Sequence, residues 1–245
     1  MNKYEIVKRI EDFAPLITQE PWDASGWIVD LPDAEINKIL FALTVTDDVL
    51  EQALKQGCNM IISHHPMFFV PWKYRNINIY CAHTNFDKAK GGTTDILLKA
   101  LHLQGKIIND FVRIVDLENE MGVEFLKLKL LPISPHLRIV NNKKVKTIRT
   151  IGFCAGSGSD FIQSTPCDAF VTGDLKYHTA IESNKVIYDI GHFESEIISI
   201  GFLKEFSYAR GREIYAGVHF IPNGLFYSNG NNLFQKVFPK EIGIF

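Results

Sequence analysis

The feature that most constrains the fold is a strand–helix–strand pattern near the start of the chain. Residues 38–45 form a nearly continuous apolar run, which is typical of a strand buried on both faces. Thr46 can cap a following helix that Gly57 can end, and residues 60–62 form a second apolar run. Two strands joined by a helix predict a parallel sheet, so the pattern favours an α/β fold.

The alternation of apolar runs and helical segments continues to about residue 104 and returns after residue 146. Between these points, apolar and polar residues alternate and prolines interrupt the chain, which predicts antiparallel strands and a crossing between two lobes. We therefore expect a first α/β lobe (residues 1–104), a crossing segment (residues 105–146) and a second α/β lobe (residues 147–245).

The second lobe resembles the first in sequence pattern. Residues 58–65 align with residues 167–174, and each segment follows a strand, a turn and a helix. The alternative is chance similarity, because few residues are identical. A duplication predicts two similar α/β lobes with mostly parallel sheets facing a common cleft.

Composition excludes several classes of function. The formal net charge of −2 gives no basic footprint for nucleic acid or an anionic membrane surface, although it is compatible with a small phosphorylated ligand. Residues 60–72, an uncharged apolar stretch with two histidines and two prolines, are too few to span a bilayer, and the charged first 13 residues do not resemble a signal peptide. The four cysteines lack CxxC spacing. These features predict a cytoplasmic protein with buried thiols.

Two adjacent histidines, His64 and His65, follow the strand at residues 60–62. In open α/β sheets, ligands bind at the carboxyl ends of the strands. Because adjacent side chains diverge there, the two imidazoles are better placed to reach two ions than to chelate one. The alternative is one core histidine and one surface histidine.

Two further motifs end strands in the same way. His83 and Asp87 follow a third predicted strand at residues 78–82, although Asp87 alone could be a helix cap or turn residue. His192 and Glu196 follow a strand ending at Ile190 and share one face at the start of a helix, where an ion pair is the alternative.

Taken together, these motifs offer three nitrogen and two oxygen ligands at strand ends: His64, His65, Asp87, His192 and Glu196. This mixture favours two divalent transition-metal ions with carboxylate bridging over a closed, cysteine-rich structural zinc site. Such a pair of ions would lower the pKa of a shared water and provide a nucleophile at neutral pH.

Two other stretches could hold a substrate. Residues 155–160 form a glycine turn that could accept an anion, but the spacing matches no phosphate-binding motif and favours a simple tight turn. Residues 172–178 follow another strand end and contain Lys176 and His178. These side chains either line the cleft or belong to a solvated helix entry.

Six motifs occur in an order that resembles the Nif-three-like family, also called GTP cyclohydrolase 1 type 2 homologues. The motifs are Glu20-Pro21-Trp22-Asp23, Ile61-Ile62-Ser63-His64-His65-Pro66, His83-Thr84-Asn85-Phe86-Asp87, Gly156-Ser157-Gly158-Ser159-Asp160, Thr172-Gly173-Asp174-Leu175-Lys176-Tyr177-His178 and Gly191-His192-Phe193-Glu194-Ser195-Glu196. The resemblance implies two lobes, a dinuclear metal site between them and a ring-shaped homohexamer. It places the metal ligands on the same five residues.

Two details depart from the family pattern. Ala24 stands where the family commonly has asparagine, which puts a role for that position in doubt. The middle segment is too short for the inserted domain of longer members, so the chain resembles the compact form.

The resemblance implies a hydrolase that opens the guanine imidazole ring of GTP by adding water at C8 and releasing formate. It would use two divalent ions (Zn, Mn, Fe or Ni) per subunit. His83 and His178 are candidates for proton transfer, Lys176 is a candidate for phosphate contact, and residues 67–72 are a candidate subunit interface. The alternatives are a metal-dependent phosphatase or phosphodiesterase, and a non-enzymatic metal-binding hexamer with an interaction or regulatory role.

Overall fold

A computed structural model describes residues 1–203 and, for the backbone alone, residues 215–219. The chain divides into two compact units. Unit 1 comprises Met1–Ala89 together with residues 199–203 and 215–219, and unit 2 comprises Lys90–Ile198. Within this described part, no helix has the length and apolar character needed to cross a bilayer.

The helices and strands of the described residues alternate along the chain. In chain order they are α1 (Lys3–Phe13), β1 (Gly26–Val29), β2 (Ile39–Ala42), α2 (Asp47–Lys55), β3 (Met60–Ser63), β4 (Asn78–Cys81), α3 (Thr84–Lys88), α4 (Thr93–Ala100), β5 (Lys106–Ile107), β6 (Arg113–Gly122), α5 (Val123–Leu130), β7 (Arg138–Val140), β8 (Thr147–Ser157), β9 (Ala169–Gly173), α6 (Tyr177–Glu182), β10 (Val186–Asp189), α7 (His192–Leu203) and β11 (Tyr215–His219). The predicted α/β class is confirmed.

Unit 1 contains a five-stranded sheet in the order β1-β4-β3-β2-β11. All of its pairings are parallel except that of the edge strand β1 with β4. The residues of β2, β3 and β4 are all buried, as the continuous apolar runs predicted. Helix α2 packs its apolar face on this sheet, and its first turn is capped by the Thr46 hydroxyl, which accepts from Val49 N.

Unit 2 contains a six-stranded sheet in the order β5-β6-β8-β9-β10-β7. Strands β8, β9 and β10 are parallel, whereas β5, β6 and β7 pair antiparallel on the two sides of this core. The sheet is therefore mixed. The antiparallel strands come from the segment that we expected to cross between lobes.

The two sheets share a four-stranded arrangement. In unit 1, an antiparallel edge strand is followed along the chain by three parallel strands, in the spatial order β1-β4-β3-β2. In unit 2, β7-β10-β9-β8 repeats this order and these directions. Strands β3 and β9, which carry the two segments aligned from sequence, are equivalent in this arrangement.

The units divide the chain differently from the segments inferred from sequence. Residues 90–104 and 105–146 both lie in unit 2. The physical reason is that α4 packs beside β8, where the Thr94 hydroxyl accepts from Ala155 N and donates to the Phe111 carbonyl. Residues 204–214 and 220–245 of the expected second lobe lie outside the described residues.

Candidate metal centre

Unit 1 places His64 and His65 directly after β3, as predicted. His64 is fully buried, and its Nδ1–H donates to the Ala82 carbonyl at 2.9 Å. A carbonyl can only accept, so the proton of a neutral His64 ring is on Nδ1 and the lone pair is on Nε2. The ring of His65 is held on its Nδ1 side by the Thr44 hydroxyl at 2.7 Å. Both rings are thus oriented by contacts with their Nδ1 atoms.

His83 and Asp87 lie beside this pair. The ring centroid of His83 is 5.2 Å from that of His64 and 5.7 Å from that of His65. Ligand nitrogens of the three histidines lie within 4.8 Å of one another. Asp87 is on α3, one turn after His83, and its Oδ1 is 3.4 Å from His64 Nε2. Unit 1 alone therefore presents three imidazoles and one carboxylate together.

Asp23 connects His83 to the loop before β1. The Asp23 carboxylate accepts from His83 Nδ1 at 2.9 Å, from the Ser25 hydroxyl at 2.8 Å, and from both the amide and the hydroxyl of Thr84. Burial would raise the pKa of this carboxyl, but hydrogen bonds from Thr84, His83 and Ser25 outweigh burial and lower the pKa to about 2. Asp23 is therefore ionised at neutral pH and orients His83.

Unit 2 places His192 and Glu196 on the first turns of α7, as the four-residue spacing predicted. His192 Nε2 lies 3.0 Å from Glu196 Oε2. The Glu196 side chain is almost fully buried, and the Ser195 hydroxyl between the two residues accepts from Gly156 N and donates to the His192 carbonyl. This pair offers one nitrogen and one carboxylate from a fixed helical turn.

The other edge of His192 contacts Asp174, the residue that follows β9. Asp174 Oδ2 is 2.6 Å from His192 Nδ1. Burial opposes the charged form of the ring, but hydrogen bonds and charge from Glu196, followed by those from Asp174, raise the pKa of His192 to about 9. The imidazole therefore lies between two carboxylates, one at each ring nitrogen.

The glycine turn at the carboxyl end of β8 makes room for Glu196. Gly156 has φ +69°, and a Cβ at this position would overlap Glu196 Oε1. The Gly156 amide donates to the Ser195 hydroxyl and the Gly158 amide donates to the Thr172 hydroxyl. Both amides are therefore hydrogen-bonded within unit 2. The tight-turn interpretation fits these contacts better than an anion-binding loop.

The donor sets of both units fit divalent transition metals. Imidazole nitrogen and carboxylate oxygen suit zinc, manganese, iron and nickel, and metal-bound histidines commonly have the other ring nitrogen held by a carboxylate or carbonyl. His64, His83 and His192 show this second contact. Histidine and carboxylate groups of this protein can therefore hold metal.

The predicted substrate residues lie in unit 2. Lys176 Nζ forms an ion pair with Asp160 at 2.6 Å, and its amide donates to the Ser159 hydroxyl. His178 is exposed on α6, with its ring centroid 5.4 Å from that of Tyr177. These contacts are those of an exposed helix entry whose lysine already has an acidic partner.

Sequence reasoning did not assign the orienting roles of Asp23 and Asp174. Both residues lie inside the motifs that carried the family resemblance, but their histidine partners are 60 and 18 residues away. A carboxylate in a turn ordinarily indicates a cap, so the position of each acid inside a motif was the available signal.

Comparison with known proteins agrees with the motif series. The family model described as Duf34/NIF3 (NGG1p interacting factor 3) matches residues 1–222. Relatives named GTP cyclohydrolase 1 type 2 homolog are 32% identical over 232 residues in Clostridium perfringens, covering 80% of this chain and 87% of the relative, and 33% identical over 225 residues in Clostridium acetobutylicum, covering 78% and 84%.

A solved structure shows the same fold. The crystal structure of Staphylococcus aureus hypothetical protein SA1388 matches with a TM-score of 0.78 at 22% identity, covering 93% of this chain and 99% of that chain. With the family model spanning most of the sequence, this chain belongs to the Duf34/NIF3 family.

Proposed function

We propose that this chain is a metal-dependent hydrolase with two divalent ions per subunit, bound by five side chains: His64, His65, Asp87, His192 and Glu196. The substrate is a purine nucleotide, and the reaction opens the guanine imidazole ring of GTP by hydrolysis with release of formate. The reaction class is taken from the name of the relatives, GTP cyclohydrolase 1 type 2 homolog.

One observation carries the proposal. In each unit, the helix after the third parallel strand begins near a histidine whose Nδ1 contacts a carboxylate, and an acidic residue follows that histidine by four positions. These pairs are His83 with Asp87 and His192 with Glu196. Oriented imidazoles beside carboxylates are the arrangement that metal sites require. We infer that Asp87, His192 and Glu196 join His64 and His65 in one dinuclear centre, with His83 beside it.

When bound, the two ions would supply Lewis-acid chemistry and a water of lowered pKa. The side chains of the protein contribute proton transfer. Because Asp23 holds the proton of His83 on Nδ1, Nε2 is the atom of His83 that can accept a proton. His83 is therefore proposed as the general base or acid, with Asp23 holding its tautomer.

Lys176 is proposed to contact the phosphates of the substrate. Its ammonium is paired with Asp160, so substrate must compete for it. If the contact is equally strong in the ground state and the transition state, Lys176→Ala should raise KM and leave kcat unchanged. Asp160→Asn is the matched variant and should lower KM, because it removes the competing carboxylate.

The decisive test measures three products from GTP: formate, the ring-opened nucleotide and inorganic phosphate. Protein loaded separately with zinc, manganese, iron or nickel is compared with chelator-treated protein and with His65→Ala. Formate release that needs metal and His65 supports the proposal. Phosphate without formate would identify a phosphoesterase, and neither product from metal-loaded protein would favour a binding protein.

We also propose that the chain forms a homohexamer through the segment at residues 67–72. Met67 and Val70 pack on the unit 1 core, whereas Phe68, Phe69 and Trp72 are 72%, 79% and 83% exposed. Three large exposed aromatics in five residues are unusual for a monomer surface.

Light scattering tests this assembly. Serine at all three aromatic positions, Phe68, Phe69 and Trp72, should dissociate the hexamer. Ile17→Ser is the control, because Ile17 is 93% exposed and lies outside this segment. A wild-type monomer at micromolar concentration would reject the proposed assembly.

A further inference from the structure

We propose that Asp174 is a positioning residue that fixes the ring of His192, so that Nε2 is the metal-binding atom before any metal arrives. This inference rests on the proposed metal centre and adds to it a residue outside the five ligands. Its basis is the backbone and the contacts of the turn that follows β9.

The backbone of Asp174 is the first observation. Its φ is +49°, in the left-handed region that residues with a Cβ rarely adopt. A strained backbone persists where the surroundings enforce it, and such residues concentrate at functional sites. Here the Ser159 hydroxyl donates to the Asp174 carbonyl and accepts from Lys176 N, so one side chain holds the backbone of the turn at Asp174 and two residues later.

The second observation is the close approach of this turn to α7. A Cβ on Gly173 would lie 2.5 Å from His192 N and 2.7 Å from the carbonyl carbon of Gly191. Only glycine fits this distance, so β9 ends directly against the first residue of the helix. The next residue, Asp174, then reaches His192 Nδ1 at 2.6 Å.

The consequence concerns the choice between two ring nitrogens. A histidine on a first helical turn can present either nitrogen after a ring flip. With a carboxylate at Nδ1, that atom keeps its proton and Nε2 is left on the side of Glu196. The strained turn therefore orients a nitrogen–oxygen pair on α7.

Two variants separate the effect of backbone strain at Asp174 from the effect of its carboxylate on the orientation of the His192 ring. Asp174→Gly relieves the left-handed backbone but removes the carboxylate, whereas Asp174→Asn tolerates this backbone and keeps an oxygen that accepts from Nδ1–H. Lys144→Gly is the matched control, because Lys144 is exposed with φ +54°. Zinc affinity is measured by chelator competition, and the His192 ring orientation is read from crystal structures of metal-free protein.

We expect Asp174→Gly to weaken zinc binding about 10- to 100-fold and to leave the His192 ring in more than one orientation. Asp174→Asn should keep one orientation and bind zinc more tightly than Asp174→Gly. Lys144→Gly should change neither property. A purely structural role predicts the reverse ranking, with Asp174→Gly equal to wild type in zinc affinity and higher in melting temperature, and that result would overturn the inference.

Failure of the metal centre itself would look different. If His192→Ala binds zinc as tightly as wild type, the proposed ligand set is wrong whatever Asp174 does. A single His192 orientation in Asp174→Gly would instead reject the positioning role while leaving the five ligands in place.

Discussion

The four-stranded arrangements of units 1 and 2 match strand for strand, but their strand ends carry different chemistry. His83 and Asp87 follow β4, and His192 and Glu196 follow the equivalent strand β10. At the central strand the units differ, because β3 is followed by two histidines whereas β9 ends at Gly173 and is followed by Asp174.

The difference shows that the same four-stranded arrangement can place at its central strand end either candidate metal ligands or a carboxylate that orients a histidine. In unit 2 the carboxylate that contacts the helical histidine comes from the end of the central strand, as Asp174. In unit 1 that strand end is occupied by His64 and His65, and the carboxylate comes instead from Asp23, before β1. The contact with Nδ1 is shared although the sequence positions that supply it are not equivalent.

The largest expected effect tests whether His83 and His192 are equivalent in function as well as position. His83→Ala should lower formate release from GTP about 10²- to 10⁴-fold, the usual contribution of proton transfer, and leave metal content unchanged. His192→Ala should lose metal. The checks are a formate assay and elemental analysis. Loss of metal from His83→Ala would extend the equivalence to coordination and remove the proton-transfer role.

The second prediction tests whether Asp87 of unit 1 and Glu196 of unit 2 are equivalent as metal ligands. Asp87→Ala and Glu196→Ala should each weaken metal binding by more than about 100-fold, since even supporting residues of metal sites contribute 10- to 100-fold. Circular dichroism should show that both variants remain folded. Glu194→Ala is the control on the same helix, and an equal metal loss in Glu194→Ala would count against the predicted ligand set.

Comparing Gly156→Ala with Gly57→Ala should separate the cost of the close contact between residue 156 and Glu196 from the cost of a positive φ alone. In Gly156→Ala, the Cβ would overlap Glu196 at a positive φ, so we expect a loss of about 2–3 kcal/mol in the free energy of unfolding, together with weaker metal binding. Gly57→Ala is the control, since Gly57 has φ +72° with no atom within 4 Å of its Cβ. It should lose about 1 kcal/mol and keep metal affinity. Equal losses in urea unfolding would show that the overlap with Glu196 costs nothing.

The smallest effect concerns pH and unit 1. Asp23 has a pKa of about 2 in the folded protein against an ordinary 3.8, so it stabilises the fold above about pH 4, and this contribution disappears as pH falls to about 2. Allowing for solvent screening, it amounts to about 1–2 kcal/mol. The free energy of unfolding, measured in urea, should therefore fall less between pH 5 and pH 2.5 for Asp23→Asn than for wild type. An equal loss of stability in Asp23→Asn and wild type would contradict the lowered pKa of Asp23.

Local signals predicted much of the fold. Thr46 caps α2, Gly57 follows its end with a positive φ, and the apolar runs form the buried strands β2 and β3. These features depend on neighbours in sequence, which is why periodicity and capping rules find them. The three parallel strands of each unit follow from the same rules.

Contacts between distant residues could not be predicted in this way. Asp23 and His83 are 60 residues apart, and Gly156 and Glu196 meet only because β8 and α7 are neighbours in the fold. The antiparallel strands of residues 105–146 were predicted, but their partners were not: β6 pairs with β8 and β7 with β10, because a sheet gains hydrogen bonds by extension. Single-residue patterns do not encode these partners.

The sheet of unit 1 cannot be completed until β11 has been synthesised. Strand β11 pairs in parallel with β2, with His219 opposite Ala42, so the edge of β2 is completed by residues made about 177 positions later. At about 5–20 residues per second, a ribosome needs about 9–35 s to reach them. An apolar strand edge open for that long is a site for mispairing with other chains. The nascent protein should therefore need chaperone protection until β11 has emerged from the ribosome.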